Sequence, residues 1–146
     1  MKDIAVNKKA YHDYFIEDRY EAGMVLLGTE IKSVRMGKVS MKEAYVSFTN
    51  GEAFVKDLHI AQYKEATYNN HDETRDRKLL LHKREIDKLS SKVKLQGYTC
   101  IPLRMYFSNG RVKLEIALAK GKTLYDKRES AKKRSMERQA SAGIRR

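Results

Sequence analysis

The residues able to do chemistry are few and scattered. Four histidines, His12, His59, His71 and His82, stand singly in a chain of 146 residues. His71-Asp72 has the composition of half a metal or acid–base site. No second ligand lies at metal spacing, so a hydrogen bond within a polar loop is the expected role. His12-Asp13 has the residue types of the orienting half of a triad, but the segment reads as a strand, where neighbours point to opposite faces. Cys100 is the single cysteine, set among Tyr98, Ile101 and Leu103, and reads as a small buried hydrophobe. Alone, it gives no intramolecular disulfide and no thiolate cluster. There is no Gly-rich phosphate loop, no Gly-x-Ser-x-Gly and no His-Glu-x-x-His. No catalytic set, metal site or cofactor motif assembles, and an enzyme is not expected.

The chemistry that is present suits a polyanion. Lys and Arg number 31 against 19 Asp and Glu, a formal charge of +12, accompanied by nine Tyr and four Phe. Cationic side chains neutralise phosphates, and aromatic rings and guanidinium planes stack on unpaired bases. The charge is segregated. Residues 13–74 carry seven basic and eleven acidic groups, residues 75–94 carry eight and three, and residues 120–146 carry ten and three. Tyr11, beside Lys8 and Lys9, reads as a surface stacker, whereas Phe48, Phe54 and Phe107 read as buried strand residues. In the stretch Arg75 to Glu85, Leu79, Leu80 and Leu81 lie between two basic clusters, with Arg77 and Lys78 before them and His82, Lys83 and Arg84 after. On an extended segment Leu79 and Leu81 face one way and Leu80 the other. Two readings stand: all three are core, or Leu80 presents apolar surface to a base between phosphate-binding cations.

These groups need a scaffold. Asn50-Gly51 and Asn109-Gly110 each separate two strand-like runs, and both turn positions suit positive φ. In the later hairpin Val112, Leu114, Ile116 and Leu118 alternate with Lys113, Glu115 and Ala117, while Pro102 marks an edge, a bulge or a strand entry. Tyr11–Glu17 and Gly23–Leu27 read as further strands. A short helix is expected from an N-cap at Thr29 to Arg35, ended by Gly37, and a longer one over Lys83–Gln96, capped by Gly97. Residues 63–77 read as a long loop. The expected fold is mainly β: an OB-like antiparallel barrel of about six strands with one short and one longer helix, or, failing that, a mixed sandwich.

The expected division is a barrel domain over residues 1–119 and a basic tail over residues 120–146. The tail's only sizeable apolar groups are Leu124, Tyr125, Met136 and Ile144, too few to offset its ordering entropy. It is nonetheless rich in helix formers, and Asp126 with Glu129 could open a capping box. It reads either as a solvated tail or as a segment disordered when free and helical on a polyanion. The opening residues lack an apolar signal region, and no apolar run approaches the roughly 18 residues of a membrane span. These features predict a cytoplasmic protein without membrane association, and nothing calls for more than a monomer.

Several stretches taken together resemble one family. They are Asn7-Lys8-Lys9-Ala10, His12-Asp13-Tyr14-Phe15-Ile16-Glu17, Glu21-Ala22-Gly23, Gly28 to Arg35, Arg77 to Glu85 and Asp126-Lys127-Arg128, in one register from about residue 5 to 134. Their order and spacing resemble the SsrA-binding protein family, also called small protein B. The resemblance implies an OB-like barrel with added helices. It also implies binding of transfer-messenger RNA (SsrA RNA) and its delivery to stalled ribosomes for trans-translation, with the protein imitating a transfer RNA's anticodon arm. By the same resemblance Asn7, Lys8, Lys9, Glu21 and Leu80 belong to the RNA-binding face, alongside the basic and aromatic candidates Tyr11, His12, Arg77, Lys78, His82, Lys83 and Arg84. Gly121 and Lys122 match a hinge. Asp126, Lys127 and Arg128 match a tail motif that acts in the vacant messenger channel near the small-subunit decoding centre, with Tyr125, Lys132, Lys133 and Arg134 around it. Glu21 reads as an acceptor for base-edge donors, as an orienter of a neighbouring cation, or as a plain surface carboxylate. Tyr11, Glu73, Thr123 and Tyr125 depart from the family's usual residues. The competing reading is a general single-strand-binding OB module; a small nuclease would need clustered acids or histidines.

Overall fold

The computed structural model describes residues 3–66 and 70–122. Nine strands and three helices follow one another as β1 (Asp3–Val6), α1 (Lys8–Asp13), β2 (Tyr14–Met24), α2 (Gly28–Arg35), β3 (Val39–Ser40), β4 (Tyr45–Thr49), β5 (Glu52–Lys56), β6 (His59–Ile60), β7 (Arg77–Leu80), α3 (Lys83–Gln96), β8 (Thr99–Ser108) and β9 (Arg111–Gly121). Seven strands form one antiparallel sheet in the order β1-β8-β9-β2-β7-β5-β4, and β3 and β6 form a separate ribbon. The sheet curls until β4 lies alongside β8, but no ladder joins them. The expected mainly β fold is therefore present, with the barrel left open at that seam.

Both hairpins turn where the sequence marks them. Asn50 and Gly51 have φ of 51° and 76°, Asn109 and Gly110 of 54° and 75°, the positive values a two-residue turn of matching twist requires. The register of β8 on β9 shifts between Pro102 and Arg104, so Pro102 sits at a bulge rather than at an outer edge. The alternation in β9 is structural: Val112, Leu114, Ile116 and Leu118 enter the main core with Leu79, Leu89 and Val55. Ala117 and Ala119 point the other way, into a second small core with Ile101, Leu103 and Ala10. The far half of β9 is thus buried on both faces. It also continues to Gly121, two residues past the expected tail boundary.

Two local expectations are corrected. Tyr11–Glu17 is not one strand: α1 ends at Asp13, and β2 then runs as a single strand to Met24, bulged between Ile16 and Arg19. A six-residue helix is too short to hold itself. Asn7 holds it, its side-chain oxygen accepting the Ala10 N–H (3.2 Å) while its amide donates to the carbonyls of Pro102 (2.9 Å) and Met41 (3.2 Å). In α2, Leu27 rather than Thr29 is the N-cap, because Glu30 reaches back to the Leu27 N–H (2.7 Å). Thr29 is engaged with His71 instead (2.9 Å). The longer helix α3 has its expected bounds, closed by Gly97 at φ 72°. Phe48, Phe54 and Phe107 are half-buried, Phe48 and Phe107 packing against the main core.

Candidate nucleic-acid interface

Strand β7 sorts its residues by alternation. Arg77 and Leu79 point inward; Lys78 and Leu80 point out. Leu79 is fully buried, whereas Leu80 is 53% exposed, which excludes the reading of three core leucines. Leu80 pairs with Gly23 of β2, and a Cβ on Gly23 would stand 3.4 Å from the Leu80 Cβ. The glycine of the Glu-Ala-Gly run therefore leaves the bed on which Leu80 lies.

Leu80 forms one wall of a cleft of about 500 Å³ that also holds Glu21, His82, Glu85 and Lys113. Glu85 uses one oxygen to accept the His82 N–H at the start of α3 (3.0 Å). Lys113 has no carboxylate partner among the described residues. Glu21 accepts a short hydrogen bond from the Tyr106 hydroxyl. Burial, and then this carboxylate, push the Tyr106 phenol up to about 12, so it stays a donor at any physiological pH. The Arg104 guanidinium stacks 4.2 Å from the Tyr106 ring centre and is itself fixed by Asp3 (2.6 Å) and Glu115 (3.1 Å). Glu21 is thus neither a plain surface carboxylate nor the orienter of a cation; a tyrosine orients it. Its second oxygen is available as an acceptor.

Arg77 is corrected outright as an RNA contact. It is fully buried, donating to Glu30 (2.6 Å) and to the carbonyls of Leu58 (2.6 Å) and Glu73 (3.1 Å). Arg75 closes on the same carboxylate at 2.7 Å. Burial raises the Glu30 carboxyl, but hydrogen bonds from Arg75, Leu27 and Arg77 outweigh it and hold the group below its ordinary value. This Arg-Glu-Arg knot ties α2 to the foot of β7. Lys78 pairs with Glu52 (3.1 Å) and Lys83 weakly with Asp87 (3.9 Å), both in solvent, while Arg84 is exposed and unpaired among the described residues.

A second basic patch lies at the other end of β2. The nine residue steps from Tyr14 to Gly23 span roughly 25–30 Å. Lys8 and Lys9 are exposed on α1, Lys9 near Glu43 at 3.5 Å. Tyr11 is exposed and receives Arg19 both on its hydroxyl (3.4 Å) and over its ring (5.7 Å). His12 is exposed and bonded to Asp13 at 2.8 Å. Lys122 donates to the Tyr11 carbonyl (3.3 Å) and lies 5.4 Å over the Phe15 ring, and Gly121 pairs with Tyr14. Asn7 is corrected as an RNA contact: it is 6% exposed, and its side chain is spent on Ala10, Pro102 and Met41. Its role is to present Lys8 and Lys9.

The sequence profile of the SmpB protein family matches residues 4–146. The chain belongs to the SmpB protein family. An SsrA-binding protein from Geotalea uraniireducens (strain Rf4) is 56% identical over 143 residues, covering 98% of this chain and 95% of that one. One from Bacillus cereus (strain B4264) is 52% identical over 144 residues, covering 99% and 93%. A solved structure reported as "tmRNA-SmpB: a journey to the center of the bacterial ribosome" is 45% identical with a TM-score of 0.69, covering 81% of this chain and 83% of that chain.

Membership in the SmpB family extends past the described body, since the match continues to residue 146. Tyr125, Asp126, Lys127, Arg128, Lys132, Lys133 and Arg134 lie outside the described residues. Sequence reasoning missed Lys113, Tyr106 and Arg104. The signal for Lys113 was present: it is a cation at an outward position of an alternating strand, directly opposite Gly23. Tyr106 and Arg104 had none, since only the pairing of β8, β9 and β2 brings them to Glu21. His71 is buried between Thr29 and the Ile60 carbonyl (2.9 Å each), the expected loop hydrogen bonding. Burial pushes the Cys100 thiol up to about 12, which suits packing and not nucleophilic attack. Among the described residues no three His, Cys, Asp or Glu converge as metal ligands, and no helix is long and apolar enough to cross a membrane.

Proposed function

We propose that this chain binds transfer-messenger RNA and delivers it to stalled ribosomes for trans-translation, as a cytoplasmic monomer without catalysis of its own. The observation that carries the reading is the cleft at Leu80. An exposed leucine, an oriented carboxylate and an unpaired lysine adjoin one another there, in a chain of the SmpB family. Apolar surface beside Glu21 suits an unstacked base with its polar edge turned to a fixed acceptor, while Lys113 and Arg84 supply the phosphate term. Lys8, Lys9, Tyr11 and His12 form the second contact with RNA, and their distance from the cleft asks for an RNA with extent and shape. The segment from Gly121 and Lys122 onward engages the decoding centre and messenger channel through Tyr125, Asp126, Lys127, Arg128, Lys132, Lys133 and Arg134.

The test is capture of the tagged full-length protein from its own bacterial lysate, followed by sequencing of the bound RNA. One dominant transfer-messenger RNA supports the reading; a mixture tracking cellular abundance overturns it in favour of a general RNA-binding module. Truncation after Lys122 spares RNA capture and abolishes tagging of stalled peptides. Leu80→Ala lowers affinity for the RNA about 5- to 30-fold, the loss of one base contact, with the salt slope unchanged.

A further inference from the structure

Leu80 is a ridge with a cleft on each side. The cleft beside Glu21 is described above. On the opposite side lies a second groove of about 500 Å³, sharing Gly23, Leu80 and Lys113 with the first. Its character differs. Met24, Ile31, Phe107 and Val112 line it, and neither Glu nor Asp does. Arg35 from α2 lies 5.9 Å over the Phe107 ring, and Arg111 and Lys113 come from β9. Neither Arg35, Arg111 nor Lys113 forms an ion pair among the described residues, although ten ion pairs of other Lys and Arg residues are formed there at 3.9 Å or less.

We propose that this groove receives one extruded nucleobase of the bound RNA, its flanking phosphates held by Arg35, Arg111 and Lys113. The proposal rests on the RNA-binding reading and assigns the side of the Leu80 ridge that reading leaves unused. Three arguments select a nucleotide. The volume falls within the roughly 300–1,000 Å³ of small-molecule sites, more than one planar base needs. The apolar lining can meet a ring face but offers no carboxylate to read an edge, so binding there is by stacking and tolerant of base identity. Three cations without carboxylate partners complement the charge of a phosphate backbone and would oppose a basic peptide. Leu80 then separates two successive nucleotides, one edge-read beside Glu21 and one stacked against Phe107 and Ile31. A wedge of this kind holds a loop open and explains why an apolar side chain stands in solvent between cations.

The experiment uses full-length protein and the transfer-messenger RNA of its source bacterium. Arg35→Ala/Arg111→Ala removes the exposed cations without touching the core, and Ile31→Phe fills the groove. Equilibrium binding is measured across a salt series, with each variant's urea midpoint recorded to show that it is folded. The double variant lowers the salt slope by about two and weakens binding. Ile31→Phe weakens binding about tenfold at unchanged slope, and chemical probing finds one base that is shielded by the wild type and reactive with Ile31→Phe. If both variants bind within twofold of wild type while Leu80→Ala and Lys113→Ala are weakened, the groove is empty in the complex. That result overturns the inference and leaves the RNA-binding reading intact. Unchanged RNA affinity with lost ribosome co-sedimentation would assign the groove to a ribosomal partner and overturn it equally. A wild-type protein with no preference for this RNA over a transfer RNA overturns both.

Discussion

Replacing Glu30 by Gln removes one negative charge from the point where two guanidinium groups converge. The Glu30 and Arg77 side chains are fully buried and 2.6 Å apart, whereas Arg75 keeps 31% of its side chain in solvent. Removing one member of a buried pair costs about 3–5 kcal/mol, because the surviving charge is left uncompensated. Arg75 adds little to this, since water screens it. The Gln carbonyl still accepts one N–H, and the carbonyls of Leu58 and Glu73 still hold Arg77, which sets the expected loss near the lower end, about 3 kcal/mol. With a urea slope of about 2 kcal/mol/M, the midpoint falls by about 1.5 M while the slope is unchanged. Equilibrium urea unfolding of the full-length protein, followed by far-ultraviolet circular dichroism at neutral pH, measures this. The pH dependence has a fixed sign. The folded carboxyl lies below its ordinary value of 4.5, so its contribution is complete above that pH and is lost as pH falls through the folded value. The gap between wild type and variant therefore narrows on acidification. A midpoint shift below about 0.5 M, or a gap that widens in acid, would refute the view that this carboxylate neutralises a dry guanidinium.

Three further outcomes follow from the same interior. Absorbance titration finds a tyrosine ionising near pH 12 that disappears in Tyr106→Phe and moves part of the way toward 10 in Glu21→Gln. Because the folded value lies above the unfolded one, stability from this group is full below pH 10 and declines as pH rises toward 12. Cys100, 1% exposed, resists a thiol reagent in the native protein and reacts at once in denaturant; rapid native labelling would contradict its place in the core. Gly97→Ala, at φ 72°, destabilises by about 1 kcal/mol, and no change in urea midpoint would show that α3 does not end in a left-handed cap.

Legibility in the sequence followed the range of the interaction. The two Asn-Gly hairpins and α3 are written within a few residues, and they stand where the pattern puts them. Helix α1 is not, because Asn7 anchors it to Pro102, 95 residues away. Alternating Tyr14 and Ile16 then dominate the local pattern and read as an early strand. Arg77 illustrates the same limit in the site. It lies in a basic run and carries a residue type suited to phosphate, yet its partner is a carboxylate 47 residues earlier that no periodicity announces. Leu80 was half legible: alternation separated it from Leu79 and Leu81, but only Gly23 on the neighbouring strand decided that it lies in solvent.

The strand order has a consequence for how such a chain comes into being. Strand β2 is bracketed by β9 and β7, and β1 pairs with β8 across about a hundred residues. Early segments therefore wait, as the chain is synthesised, for partners that emerge near the end. Until Arg111–Gly121 is available, β2 lacks its longest neighbour and β8 its hairpin mate. Contacts so distant in sequence make folding slow relative to helical proteins of similar size. A ribosome that halts before β9 would leave a fragment with its apolar strands unpaired and unable to close.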